Sequence, residues 1–235
     1  MFHPRKRAEE WLAHTYGGLV ELTVPDPVYE TPAAWLMACR SLPQPGFPRT
    51  PMLAASIVVL RHGGPPFHPA PGAPLADLEP APGHVYADRV VSQPRRINAR
   101  GCVVAVHHAI DGARSTAVPW SPAHEAPGWW GRLAKRYFPD FDEVAPAHCA
   151  GWDDVVGAMT GPGPGTRGVV WVRRELNGHE ITGNLLYVHN NDGRVVFLDP
   201  LASSLARLDT SGVRELRLLR LPGPGTGRAG PPATA

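Results

Sequence analysis

Long apolar runs are missing from this 235-residue chain: none reaches eighteen residues, so a membrane-spanning helix is not expected. The opening segment MFHPRKRAEEW lacks the apolar stretch of a secretory signal, and a cytoplasmic protein is the expectation. Cysteine is scarce. Cys39, Cys102 and Cys149 are odd in number and widely spaced, which fits neither a disulfide framework nor a CxxC metal knuckle, so three reduced thiols are expected. A dominant charge is missing too. The 23 basic and 21 acidic residues leave a net +2, with no dense basic stripe interleaved with aromatics, and nucleic acid is not an expected partner. The cluster Arg5-Lys6-Arg7 reads as the solvated start of a helix.

What is present supports a folded core, since 43% of the residues are hydrophobic and seven are tryptophan. Ala8, Trp11 and Leu12 recur at helical spacing between Arg5 and Tyr16, and Gly17-Gly18 ends that helix. Strand signals follow at Leu19 to Val24, Ala34 to Cys39 and Met52 to Leu60. Residues 63–94 are crowded with proline and glycine, and read as a linker or surface meander with too few bulky side chains to offset ordering entropy. Beyond it, helices are expected over Cys102 to Ile110, Trp129 to Tyr137 and Trp152 to Met159. Strands are expected over Val169 to Arg173, Leu185 to His189, Val195 to Leu198 and Val213 to Leu221. Asp192-Gly193 marks a hairpin. The glycine- and proline-rich tail 222–235 is expected to be disordered. The fold class is α+β: a small N-terminal module of one helix and an antiparallel sheet over 1–62, and a helices-then-sheet domain over 95–221.

The chemistry centres on NARGCVVAVHHAIDG, residues 98–112. A thiol at a helix N-terminus meets unpaired N–H groups and the positive end of the dipole, which should lower the pKa of Cys102 and make it a nucleophile. Its small apolar neighbours equally suit a buried structural cysteine. His107 and His108, five and six residues further along a helix, are poorly placed as its base. A base and an orienting carboxylate are better sought in the C-terminal sheet, where Asp199 ends the strand VVFLD. GPGPGTRG lacks the Lys-Ser/Thr ending of a phosphate loop and precedes a strand. His124-Glu125 stands alone as a metal-ligand pair, so neither metal nor cofactor is expected. Trp129-Trp130 reads as core or groove wall.

A cysteine-headed helix, further helices, RGVVWVRR, an NDG hairpin and a strand ending in Asp-Pro together resemble the papain-like toxin glutamine deamidases over residues 95–221. That resemblance implies a Cys-His-Asp triad, with Cys102 as nucleophile and Asp199 as orienting acid. The family's histidine position falls on Asn184, and the glutamine after its aspartate falls on Leu201. An asparagine amide takes up no proton near neutral pH, so the implied triad lacks its general base. His179 and His189 are the substitutes that the strand offers, each an odd number of residues from Asn184. The segment from RAEEWLAHTYGGLVEL through WLMACRS to PMLAASIVVL resembles the small YrhB-type domains, some of them classed as immunity proteins. Together these imply a degenerate deamidase-type protein that binds a partner protein. The alternatives are an active amidohydrolase acting on a glutamine of a target protein, and an immunity or regulatory protein.

Overall fold

The computed structural model describes residues 3–47 and 51–223; most of the tail segment 222–235 lies outside them. Helix α1 (Pro4–Tyr16) opens on a proline in its first turn and stops at Gly17, whose φ of +58° is the left-handed conformation glycine takes without strain. Ala8, Leu12 and Tyr16, four apart, form its buried stripe. Strands β1 (Val20–Leu22), β2 (Tyr29–Glu30), β3 (Ala34–Ser41) and β4 (Ser56–Leu60) make an antiparallel sheet around β3. Alternation along β3 and β4 explains why β4 is buried throughout and β3 at all positions but Trp35 and Arg40. Met37, Cys39, Ile57 and Val59 face α1, whereas Leu36, Ala38, Val58 and Leu60 face a second cluster holding Phe67, Leu78 and Ile181. Covered on both sides, this sheet needs no polar face.

The stretch expected as a linker is packed. It carries α2 (Gly83–Val91) and α3 (Gln93–Arg96), and Phe67, His68 and Leu78 within it have no exposed surface. Polar anchors supply what its sparse apolar content does not. His68 is held through Nε2 by the Tyr16 hydroxyl at 2.6 Å and through Nδ1 by the Ser56 carbonyl at 2.6 Å, and its N–H donates to Gln93 Oε1 at 2.7 Å. Asp77, buried, pairs with Arg89 and Arg96 and accepts from the Ala70 N–H.

The second half contains α4 (Ala99–Ile110), α5 (Trp129–Tyr137), β5 (Asp142–Glu143), α6 (Trp152–Thr160), β6 (Arg167–Leu176), β7 (His179–Glu180), β8 (Asn184–Asn191), β9 (Arg194–Asp199), β10 (Ser204–Leu205) and β11 (Val213–Leu221). Their antiparallel sheet runs β10-β9-β8-β6-β11-β5, with β7 on β6. The β8–β9 turn has φ of +50° at Asp192 and +88° at Gly193, as a tight hairpin requires. Leu185 and Tyr187 pack with residues of α4 and α5; Leu186 and Val188 pack with residues of α6. Helices thus cover both faces of an antiparallel sheet, and the α+β class is as expected. No helix among the described residues is long and apolar enough to cross a membrane.

The halves interlock. Ile97 and Trp120 lie in the α1 core, Ile181 lies in the cluster beneath β3, and Leu53 lies among Trp129, Trp171 and Val103.

Candidate active site

Asn98 caps α4 with its side chain, Oδ1 accepting from the Gly101 N–H at 3.3 Å. Gly101 must be glycine here, because a Cβ would sit 2.3 Å from the Val118 carbonyl oxygen. Helix α4 begins three residues earlier than expected, so Cys102 is its fourth residue. Its N–H already donates to the Asn98 carbonyl at 3.1 Å. This corrects the expectation of a thiol opposite free N–H groups. The pKa of Cys102 is raised instead of lowered, first by burial and then by the Asp199 carboxylate.

Asn184 opens β8 and Asp199 ends β9. The pairing Tyr187↔Leu198 sets Leu186 opposite Asp199, so Asn184 and Asp199 are diagonal neighbours on one sheet face. Asn184 Nδ2 donates to Asp199 Oδ2 at 3.0 Å, and Asn184 Oδ1 accepts from the Leu185 N–H at 2.9 Å. The other Asp199 oxygen accepts from the N–H groups of Leu201 and Ala202 at 3.0 and 3.1 Å. One carboxylate thus closes the turn and holds the Asn184 amide.

Asp199 is thus the link: its charge acts on Cys102 and its side chain holds Asn184, whereas the two histidines stand apart from it along the sheet. His189 pairs with Arg167 and Val196, five residues or roughly 17 Å along β8 from Asn184. Its pKa is lowered by burial and by Arg167. His179 pairs with Leu176, four residues or about 13 Å beyond the Val172 that faces Asn184. His107 lies further down α4, 3.3 Å from the Tyr187 hydroxyl and against Phe138. Among the described residues no histidine hydrogen-bonds to Cys102, Asn184 or Asp199, and no group of His, Cys, Asp and Glu is arranged to hold a metal ion.

Two supports of this corner are invisible in the sequence. Residues Thr182 and Gly183, which lead into Asn184, are clasped by the N-terminal half: Gly183 N–H and Thr182 Oγ1 both donate to the Leu53 carbonyl, at 2.8 and 3.2 Å. Glu125, fully buried, accepts from the N–H groups of Leu53 and Ala54, from Trp120 Nε1 and from Arg100 Nη1 at 2.5 Å. Burial would raise its pKa, but the Arg100 charge and these hydrogen bonds hold it down at about 2. Gly72, from the proline-rich stretch, passes over the acid, where a Cβ would lie 4.0 Å from Asp199 Oδ2.

Comparison with known proteins places this corner in a family context. A solved structure, the Salmonella effector SpvD in its G161 variant, is similar at 12% identity and a TM-score of 0.38, covering 52% of this chain and 67% of that one. No curated protein matches. Residues 97–203 match the family described as papain fold toxin 1, glutamine deamidase, a span that includes Cys102, Asn184 and Asp199 but stops short of β11. This segment, and with it the cysteine helix and the strand pair that ends in Asp199, is similar to the papain-fold toxin glutamine deamidases.

Proposed function

We propose that the papain-fold domain has lost its proton acceptor and acts by binding a partner protein instead of deamidating one. The Asn184–Asp199 hydrogen bond carries this reading, because the amide fills the place opposite the acid where the family resemblance implies a base. The raised thiol pKa and the committed Cys102 N–H point the same way: the nucleophile is neutral, and one donor that could steady an oxyanion is already used. The test is ammonia release from glutamine-containing proteins and peptides by the natural chain and by Cys102→Ala. Equal background from both is expected. Release by the natural chain that Cys102→Ala abolishes would establish an active cysteine amidohydrolase.

The position of Gly72 over Asp199 favours a second, compatible reading in which the N-terminal half and the proline-rich stretch cover the cleft as a regulatory module. It expects Cys102 to react with iodoacetamide far faster than with a bulky maleimide. Equal accessibility to both reagents would remove the cover.

A further inference from the structure

On the other flank of α4 lies a cavity of about 650 Å³, lined by the α4 stripe Gly101, Val104 and His108 and by side chains of α5. These α4 positions recur at i, i+3 and i+7, and Cys102 projects about 100° away from Gly101. None of Cys102, Asn184 and Asp199 lines the cavity. Among the described residues, Arg100, Arg132, Lys135 and Arg136 do, and no carboxylate does.

The cations are not equivalent. Arg132 is tied to the Ala126 and Pro127 carbonyls. Lys135 and Arg136 are exposed and form no ion pair among the described residues. Arg100 is only 7% exposed and stacks on Trp129, its guanidinium carbon 4.0 Å from the ring centroid. Glu125 takes Nη1 alone; Nε and Nη2, the edge that grips a phosphate or carboxylate in two-point fashion, have no partner among the described residues. Leaving buried charged donors unpaired is costly, and these two nitrogens, which have no accessible surface, would gain an acceptor if the Arg100 side chain turned toward the cavity. Trp129, Leu133 and Tyr137 add apolar and aromatic wall, and the volume is in the range of small-molecule sites.

We infer that this cavity binds a phosphorylated small molecule of nucleotide size, its anionic end met by Arg100, Lys135 and Arg136 and its flat body by the aromatic wall. The site is independent of the fate of the Cys102 corner. ADP, pyrophosphate and adenosine serve as probes in calorimetric titration of the full chain at low ionic strength. ADP is expected to bind saturably at one site, pyrophosphate to compete with it, and adenosine not to bind. The double variant Lys135→Ala/Arg136→Ala, which changes only exposed side chains, should weaken ADP at least about tenfold, and Cys102→Ser should leave it unchanged. The inference is overturned if ADP does not bind saturably, or if the double variant binds it as well as the natural chain. It is also overturned if a hexaglutamate peptide binds where ADP does not, which would make the cavity a dock for an acidic protein segment.

Discussion

Asp199 divides its two oxygens between tasks, one closing the turn at Pro200 to Ala202 and the other holding the Asn184 amide. Its negative charge also works against ionisation of Cys102, after burial, which is the larger cause. At neutral pH the thiol is therefore protonated, and its alkylation by iodoacetamide should be slow, rising only on the alkaline side of a free cysteine's midpoint. Asp199→Asn removes the charge and leaves the burial, so the midpoint should move down part of the way. Asn184→His should move it further, because an imidazolium held by Asp199 beside the thiol stabilises the thiolate. Alkylation profiles of the three proteins check this. A natural midpoint at or below that of free cysteine would contradict the geometry, and an unshifted Asn184→His profile would put that residue out of reach of Cys102.

Among elements, those that read most clearly in the sequence are those whose stability is local. Trp129–Tyr137 is a helix over the residues its apolar spacing predicts, and the hairpin at Asp192-Gly193 needs only its two positive φ angles. The stretch 63–94 does not read that way, because its order comes from distant partners: His68 depends on Tyr16 and Ser56, and Phe67 on the β4 edge. The site was legible in the same uneven way. Cys102, Asn184 and Asp199 stand in recognisable positions, whereas the start of α4, three residues upstream, decided the character of the thiol.

In the sequence Glu125 is only a lone neighbour of His124, yet it ties Trp120, Arg100 of α4 and the segment before β4 together. Its folded pKa of about 2 lies below the ordinary 4.5, so it adds stability above the ordinary value that is lost as pH falls through 4.5 toward 2. Glu125→Gln leaves the Arg100 guanidinium buried without its counter-charge and should cost about 3–5 kcal/mol in urea unfolding at pH 7. As pH falls from 4.5 toward about 2 the gap between the two proteins should narrow. A constant difference across pH would mean the carboxylate's charge is not what matters. Gly183→Ala is a second test at this scale: its Cβ would lie 2.7 Å from the Val172 carbonyl and 3.0 Å from Trp171 Nε1, so the strand entering Asn184 must shift and stability must fall.

For the whole molecule, the family segment 97–203 draws its packing from residues outside its own bounds. Its sheet depends on β11, which pairs with β6 along the full strand and lies outside that segment. Its first residue, Ile97, is buried in the core of α1 and β3 together with Trp120, and Ile181 is buried beneath β3. In the other direction Leu53 fills the space between Trp171 and α4, and its carbonyl takes the hydrogen bonds of Thr182 and Gly183. Removing residues 1–95 would strip apolar cover from three buried positions, leave the Leu53 partners unsatisfied and leave the buried charge of Glu125 with fewer donors. The full chain is therefore expected to melt in one cooperative transition, with near-UV dichroism of the tryptophans and far-UV dichroism of the backbone coincident. The fragment 97–223 is expected to lack the near-UV signal altogether. Two separated transitions in the full chain, or a fragment 97–223 with a native near-UV spectrum, would show instead that the N-terminal half is a detachable module resting on an independently folded papain-type domain.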